Sequence, residues 1–552
     1  MNGTSVNRIS GKDILRHAIS IILFIAAWKV LERWYFFQHP SDYLFFVILA
    51  IVGFFLAAGS FLLSEIRKIP RRRLFFCLPL LILILPWGEW LSLGTIFTRE
   101  SWSELLFKQA LFIYGCLSFL HIFPRLALNI QNGFLRFLEF ASEKRIAIWS
   151  APLFLFILTG WIALFVYKET PVVQDSAAHL FQANIFKHFK VYAPAPTSVQ
   201  QSFTGPLDLL VIKDGRWFGM YSPGFAALMA PAAMINLEWL VSPLLAALTC
   251  ATWILYVQRW HGQRTALLLG WLIAISPFIV VMSSTVMVFT PELFFASMVI
   301  FLLRLNLENA SLATHIALAV GLTGGILARS FSFLPFLLPL VAYAFLEAIR
   351  LKRLAIILPI VSGCAVGITV LLLFQWITTG NPLTTPYELE LPVAMGFKEH
   401  FIGTHTLSKG IDNLSNNLLG LNHWIGGWYS GTLLFVLAFF LKQPSQLWDK
   451  LFIAACSFLI IFYFFLFFQD LFFGPRFFYS FTPILLLFVA RSVAERSISS
   501  KAELQLLIPF FVITLLISVP HTLPDFIKRY DPSKTQSGKL KEEIRKTNGT
   551  PT

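Results

Sequence analysis

Residues 169–224 read ETPVVQDSAAHLFQANIFKHFKVYAPAPTSVQQSFTGPLDLLVIKDGRWFGMYSPG, a polar stretch with long apolar segments on both sides. It contains the carboxylate Asp175 soon after a hydrophobic span ends, and it closes with Arg216, Trp217 and a Tyr-Ser-Pro-Gly turn. Binding and catalytic residues are disproportionately found on connecting segments held by a rigid scaffold. The stretch is therefore a candidate functional site, with apolar segments of the chain before and after it.

The composition indicates a membrane protein. Of 552 residues, 57% are hydrophobic and only 13% are charged, and the mean hydropathy is +0.71. A soluble protein carries about 25% charged residues, so most of this surface is expected to face lipid, and the chain is predicted to be an all-α polytopic membrane protein. The net charge of +14 comes from basic clusters between apolar segments, as is typical of cytoplasmic loops. No basic face with stacking aromatics indicates a nucleic-acid partner.

The cysteines indicate neither a metal site nor a disulfide. They lack the spacing of zinc ligands, and none lies in a loop where a disulfide is common. They are interpreted as small core or lipid-facing residues. All five fall inside apolar segments, at Cys77, Cys116, Cys250, Cys364 and Cys456.

The charge pattern predicts which face the polar stretch occupies. About 20 apolar residues cross a bilayer as a helix. On that measure an N-terminal module, residues 1–145, holds four spans, at 14–34, 43–64, 74–93 and 107–124. Basic clusters precede the first span and follow the second and the fourth, whereas the loop after the third is acidic. The positive-inside rule then places the N-terminus in the cytoplasm and, after a fifth span, places residues 168–224 outside.

The remainder of the chain is predicted to form a transmembrane core, residues 146–520, and a short basic tail, residues 521–552. Segment 225–235 is too short to cross and carries Pro231, which favours a partial or interfacial helix. A second polar stretch, 378–424, is external on the same count. The total is roughly fourteen to sixteen crossings, with core spans at 146–167, 237–256, 265–282, 286–304, 314–328, 331–346, 355–376, 427–441, 451–468, 477–493 and 504–519.

Asp175 is the first candidate for chemistry. It precedes the helix-like run SAAHLFQANIFKHFK, where an aspartate is typical of a helix N-cap. A cap also fixes its carboxylate, so a cap and a general base are compatible roles. His179 lies one turn on and shares the face of Asp175, although such a histidine is more often structural. An apolar stripe in this run favours a helix in the membrane interface, with members Ala177, Phe181, Ile185 and Phe189.

Three further charges lie at the ends of apolar spans, where charged residues are rare because burying them in lipid is costly. Glu292, Arg329 and Arg476 all fall on the same predicted outer face as Asp175. For Arg476, the alternatives are a local pair with Asp470 or snorkelling to the interface. Two guanidinium groups at a lipid boundary suit a phosphate-bearing lipid, because they are always charged and bind phosphate in a bidentate manner.

A carboxylate and several cations on one face are the combination needed for glycosyl transfer from a polyprenyl phosphate. The carboxylate takes the proton of the acceptor hydroxyl, and the cations stabilise charge on the departing phosphate. The sequence has no Gly-rich phosphate loop, metalloprotease helix or serine-hydrolase elbow. The candidate catalytic residues are Asp175 and His179, and the candidates for donor binding are Arg216, Tyr221, Glu292, Arg329, Lys398 and Arg476.

Several motifs follow one another in a characteristic order over about residues 165–495. After Asp175 come HLFQANIFKHFKVYAPAP, DGRWFGMYSPGF, ILARSF, TTGNPLTTPYELELPVAMGF and GPRFFYSFTP. In this order the chain resembles the GT-C superfamily of integral-membrane glycosyltransferases, and more narrowly the bacterial relatives of protein O-mannosyltransferases and of the lipid A aminoarabinose transferase.

The resemblance implies a GT-C fold, a lipid-linked sugar donor and inverting transfer. It also implies that Asp175 is the base and that Arg476 contacts the lipid phosphate. Relatives often carry Asp-Glu where this chain has Asp175 and Ser176, and an aromatic where it has His179. These departures leave the sugar and the use of a divalent metal open, and no metal ligand is assigned.

Two other classes of function remain to be weighed. A transporter or flippase of a lipid-linked saccharide is expected to hold charges at mid-membrane and to show internal repeats, whereas these charges cluster at one boundary. In a scaffold protein, Asp175 is only a cap. The sequence thus predicts a multi-pass enzyme of the bacterial inner membrane, active on the external face. Its expected partners are membrane lipid, a polyprenyl-phosphate sugar donor and a lipid, protein or polysaccharide acceptor.

Overall fold

The computed structural model describes residues 102–195, 209–390, 395–400, 403–443, 445–467, 469, 471–495 and 506–531. The first three predicted spans lie outside these residues. The described part is all-α apart from two small sheets, which confirms the predicted fold class. Its helices are α1 (Trp102–Ile122), α2 (Pro124–Ser142), α3 (Arg145–Trp161), α4 (Gln174–Phe186), α5 (Gly224–Ala233), α6 (Val241–Trp260), α7 (Gln263–Ala274), α8 (Pro277–Ser283), α9 (Phe289–Glu308), α10 (Leu312–Arg350), α11 (Ile357–Thr379), α12 (Pro386–Glu390), α13 (Leu407–Trp424), α14 (Leu433–Lys442), α15 (Leu447–Phe464), α16 (Thr482–Ala494) and α17 (Leu507–Arg529).

Both sheets are antiparallel and lie within the two polar stretches. In the first sheet β3 (Arg216–Gly219) is central, between β1 (Ala193–Pro194) and β2 (Leu210–Lys213). The second pairs β4 (Glu399–His400) with β5 (Gly403–Thr404).

Eight helices in the described residues are long and apolar enough to cross a membrane, or ten if each of two bent pairs counts as one span. The chain is therefore a multi-pass integral membrane protein. Helix α3 continues through a π-helical turn, so that its apolar span is Arg145–Val166. The predicted span 265–282 is a bent pair, with an angle of 55° between α7 and α8 at Ser276.

Helix α10 reverses direction at Arg329, whose φ of −160° and ψ of 77° are extended rather than helical. A straight helix of 39 residues would be about 58 Å long. However, Arg353, just after α10, donates a hydrogen bond of 2.9 Å to the carbonyl of Leu307, just before it. Gly325 and Phe333 also face each other across the bend, because a Cβ at Gly325 would clash with the Phe333 ring. The two limbs correspond to the separate predicted spans 314–328 and 331–346.

Helix α11 then runs parallel to the first limb of α10. Gly363 meets Ala319, and Gly367, one turn later, meets Ile326. Because the first limb also packs closely against α9, the bend at Arg329 and the N-terminus of α9 come to the same end of the bundle. That end holds the candidate site.

Three predictions about the second half of the chain need correction. The span 427–441 is wrong, because only Leu433–Lys442 is helical and the preceding residues turn at Gly427 and Gly431 with positive φ. The last helix runs ten residues past 519, to Arg529, so the start of the predicted tail is helical. The stretch 378–424 is not only a loop, because its buried amide-rich segment forms α13.

The opposite end of the bundle is held by a buried ionic cluster. Arg491 at the end of α16 lies 2.5 Å from Asp449 on α15 and 2.8 Å from Glu495. Glu495 in turn contacts His261, in the turn between α6 and α7, at 3.3 Å. The cluster fixes the C-terminal end of α16, and the turn that begins at Arg476 leads into its N-terminal end.

Candidate functional site

Asp175 lies in the first turn of α4, but it does not cap that helix. Val173 occupies the N-cap position, and no side chain caps the helix. The cap prediction is therefore wrong, because the Asp175 carboxylate turns toward Arg476, 3.1 Å away. The carboxylate is 25% exposed, which leaves it open to a substrate. The buried face of α4 includes Ser176 and His179, whereas Ala177 of the predicted apolar stripe is exposed.

Tyr221, at the end of the first polar stretch, lies next to Asp175. Burial, followed by the Asp175 charge, raises the pKa of the Tyr221 phenol well above its ordinary value, so the phenol stays protonated. The His179 ring stacks on the Tyr221 ring at 4.7 Å and meets Phe225 edge-on at 5.2 Å. Burial lowers the pKa of His179 to about 4. A neutral His179 thus supports the phenol beside Asp175.

The second acid, Glu292, lies in the first turn of α9 and is 2% exposed. One carboxylate oxygen accepts hydrogen bonds from Ser332 at 2.6 Å and from Ser480 at 3.3 Å. The other accepts one from Arg329 at 3.2 Å, and Arg329 also donates to Ser332 at 3.0 Å. Glu292 therefore links the bend of α10 to the turn that follows Arg476.

Both arginines lie against the same pair of aromatic rings. The Arg329 guanidinium is 4.1 Å from the centroid of Phe289, and that of Arg476 is 5.6 Å from it. Each also lies 5.6 Å from the Phe477 ring. Rings of this kind attract guanidinium groups through their negative faces and restrict their position. We call Arg329 and Arg476 the arginine pair.

The other predicted donor-binding residues lie apart from this group. Arg216 donates to the carbonyl of Ile377 at 2.5 Å and stacks over Tyr192 at 5.3 Å. Lys398 is exposed just before β4. Asp470, the alternative partner of Arg476, lies outside the described residues. A substrate-binding role for Arg216 and Lys398 stays a prediction.

Sequence reasoning missed the residues that support the arginine pair. Ser332 and Ser480 donate to the same carboxylate oxygen of Glu292. The sequence carries no signal for them, because the backbone is not α-helical at Arg329 or from Arg476 to Phe481 and helical spacing does not apply there. Tyr387, in α12 of the second polar stretch, was also missed. Partial burial, followed by the Asp175 charge, raises the pKa of this phenol, which is 38% exposed and lies near the carboxylate.

The described residues contain no group of three or more His, Cys, Asp or Glu side chains that could hold a metal ion. The four cysteines in that part of the chain, Cys116, Cys250, Cys364 and Cys456, are free thiols.

The fold and site define a multi-pass all-α membrane protein with paired acids and arginines at one end of its bundle. Similar solved structures include that of ArnT from Cupriavidus metallidurans bound to undecaprenyl phosphate. The identity is 12%, the TM-score is 0.45, and the match covers 74% of this chain and 78% of that chain. For the same protein in the apo state, the identity is 11%, the TM-score is 0.43, and the match covers 70% of this chain and 74% of that chain.

The apo Archaeoglobus fulgidus oligosaccharyltransferase is also similar, with 11% identity, a TM-score of 0.35 and coverage of 71% of this chain and 59% of that chain. No protein-family model and no curated protein sequence matches the chain. At TM-scores below 0.5 the likeness assigns no role to any side chain, and the roles below follow from the contacts of each residue.

Proposed function

We propose that this protein is an inverting glycosyltransferase, which moves a sugar from a polyprenyl-phosphate donor to a hydroxyl acceptor at the external face of a bacterial inner membrane. The observation that carries the proposal is the contact between Asp175 and Arg476, beside a second guanidinium at the end of membrane-spanning helices. A partly exposed carboxylate suits a base, and fixed guanidiniums suit a phosphate.

The reaction assigns one task to each group. Asp175 takes the proton of the acceptor hydroxyl as the acceptor oxygen forms its bond to the anomeric carbon. The bond between that carbon and the phosphate oxygen breaks, and the electron pair leaves with the polyprenyl phosphate. Because one displacement occurs on the face opposite the leaving group, the anomeric configuration inverts. The proton on Asp175 then passes to water.

The arginine pair stabilises the leaving phosphate as its negative charge develops. Arg476 is held by Asp175, and Arg329 is held by Glu292, so both cations are positioned before the donor arrives. This preorganisation lowers the barrier because the charges need no rearrangement during the reaction. Tyr221 and His179 hold the base in place on its other side.

A transporter of a lipid-linked saccharide is the alternative function. The four charges lie at the start of α4, the start of α9, the bend of α10 and the turn before α16, all at one end of the bundle. A carrier would need a charged site near the bilayer midplane that opens to both faces. The position of the charges therefore favours the enzyme.

The proposal is tested with purified protein in vesicles, a synthetic polyprenyl-phosphate donor with a labelled sugar, and hydroxyl acceptors from a cell envelope. We expect labelled acceptor of inverted anomeric configuration and release of polyprenyl phosphate. Labelled donor that crosses the bilayer without cleavage would establish the transporter instead. The mass change of envelope glycans and lipids on removal of the protein would identify the sugar and the acceptor.

A further inference from the structure

Helix α2 lies across the bundle instead of along it. Its axis makes an angle of 102° with the segment Lys108–Ile122 of α1, and Pro124 begins α2 directly after the break. Because Lys108–Ile122 is apolar and packs along α17, a helix at right angles to it lies close to the membrane plane. The next apolar span, Arg145–Val166, is about 33 Å long and leads to the end that holds Asp175. Helix α2 therefore lies at the opposite membrane face.

The surface of α2 is divided into three sectors. The core-facing sector packs on α7 and α17 and includes Ala127, Leu138 and Ala141. At 100° per residue, the exposed surface includes an apolar arc and a polar arc of about 60° each. Leu128 and Glu139, which are also exposed, lie between the polar arc and the core-facing sector. The apolar arc consists of Leu126, Phe137 and Phe140, which are 42%, 61% and 64% exposed. The polar arc consists of the exposed residues Arg125, Asn129, Asn132 and Arg136.

The exposed charges on this helix and just after it are mainly positive: Arg125, Arg136, Lys144 and Arg145 against Glu139 and Glu143. The carboxylate of Glu139 is paired with Arg264 at the start of α7. Lys144 lies just past the end of α2, with its ammonium 5.5 Å above the exposed Phe140 ring. Cations thus lie directly beside the apolar arc, where the polar headgroups of a bilayer meet its acyl chains.

We propose that α2 is an interfacial anchor that binds the anionic phospholipid headgroups of the leaflet opposite the candidate site. Leu126, Phe137 and Phe140 enter the upper acyl region, and Arg125 and Arg136 bind headgroup phosphates. Three observations point to this partner: the in-plane orientation, the exposed aromatic arc and the basic arc beside it. A helix with this pattern binds membranes through apolar burial and through attraction to anionic lipid.

The depth of the helix is tested with single cysteines in the full chain, after its native cysteines have been replaced by serine. Phe137→Cys and Asn132→Cys are labelled with a fluorophore in vesicles of phosphatidylcholine and phosphatidylglycerol. We expect quenchers on the acyl chains to reach position 137, and aqueous iodide to reach position 132. A label at 137 that neither quencher reaches would mean that protein covers this arc, and it would overturn the proposal.

The charge requirement is tested by native mass spectrometry of bound phosphatidylglycerol. For Arg125→Gln/Arg136→Gln we expect the preference for phosphatidylglycerol over phosphatidylcholine to fall about fivefold for each arginine removed, which corresponds to ~1 kcal/mol per cation. The control, Lys187→Gln/Lys213→Gln, removes the same charge on the site side of the chain. An equal loss in both variants, or no loss in the α2 variant, would overturn the proposal.

Discussion

Arg329 and Arg476 hold their guanidinium groups over the same aromatic ring, at 4.1 and 5.6 Å from the centroid of Phe289. Two cations this close repel each other unless each is neutralised. Glu292 neutralises the first and Asp175 the second, so that one acid is buried and the other remains accessible. In the proposed mechanism the buried acid, Glu292, has a structural role and the accessible acid, Asp175, has the chemical one.

Asp175→Asn is expected to reduce sugar transfer about 10³-fold, because a positioned general base contributes about 10²–10⁴-fold. The amide keeps the shape of the side chain and can still accept from Arg476. Initial rates with a saturating polyprenyl-phosphate donor measure the loss. Asp214→Asn, in the turn between β2 and β3, is the matched control, since its positive φ of 49° suits asparagine. Wild-type rates for Asp175→Asn would remove the base assignment.

Arg476→Lys is expected to raise the KM for the donor about tenfold or more. Lysine retains the charge but loses the planar fork that binds a phosphate in a bidentate manner. The control is Arg259→Lys, whose guanidinium pairs with Glu308 at 3.2 Å at the other end of the bundle. If both variants have the same donor KM as the wild type, Arg476 has no role in phosphate binding.

Glu292→Gln is expected to destabilise the protein, because it leaves Arg329 poorly compensated in a site where that side chain is 17% exposed. Breaking a buried pair on one side costs about 3–5 kcal/mol. The double variant Glu292→Gln/Arg329→Gln should regain part of this stability. Unfolding temperatures in detergent of both single variants and the double variant provide the double-mutant cycle. Strictly additive losses would show that the two side chains are not coupled.

Stability should depend on pH through His179. Its folded pKa of about 4 lies below the unfolded value of about 6.5. Between these values the unfolded chain binds a proton that the folded chain does not. The contribution of neutral His179 to the free energy of unfolding is therefore complete above pH 6.5 and is lost as the pH falls toward 4. The loss approaches about 3 kcal/mol. His179→Gln should flatten the pH dependence of the unfolding temperature in this window, and an unchanged slope would exclude His179 as its source.

Gly224→Ala is expected to lower transfer about tenfold through displacement of the α10 bend. A Cβ at Gly224 would clash with the carbonyl carbon of Leu327 and would lie 2.6 Å from the backbone nitrogen of Ala328. Overpacking of this kind costs about 1–3 kcal/mol and shifts backbone. Gly115→Ala in α1 is the control, because nothing lies within 4 Å of its new Cβ. Equal activity of the two variants would contradict the role of this contact.

The sequence was sufficient to predict that Asp175, Glu292, Arg329 and Arg476 belong to one membrane boundary, because span length and charge alternation fix which helix ends share a face. The same reasoning predicted the short helix α5 and the two limbs of α10. It could not predict which acid meets which arginine. That choice depends on the rotation of each helix about its own axis, which packing decides.

Other features were hidden for identifiable reasons. Local propensity suggested that Asp175 caps its helix, but the interaction with Arg476, 301 positions away in the chain, determines where the carboxylate points. The polar, amide-rich composition of α13 is typical of a loop. The segment is helical and buried because its amides are bonded to backbone carbonyls, as Asn413 is to the carbonyl of Phe467. The right-angled course of α2 depends on a break of one residue, and hydropathy alone does not reveal such an angle.

The bend at Arg329 also bears on how the protein is made. Arg329 lies at the tip of a helical hairpin. With the site on the external face, as proposed, membrane insertion of that hairpin would carry a guanidinium across the hydrocarbon layer. Translocon-based scales put the cost of an arginine at the centre of a helix at about 2.5–3.5 kcal/mol. Glu292 is at the corresponding end of the preceding helix and pairs with Arg329 in the finished structure. Insertion of α9 together with the hairpin would then let the two charges cross as a neutral pair, and the site would begin to assemble before Arg476 is synthesised.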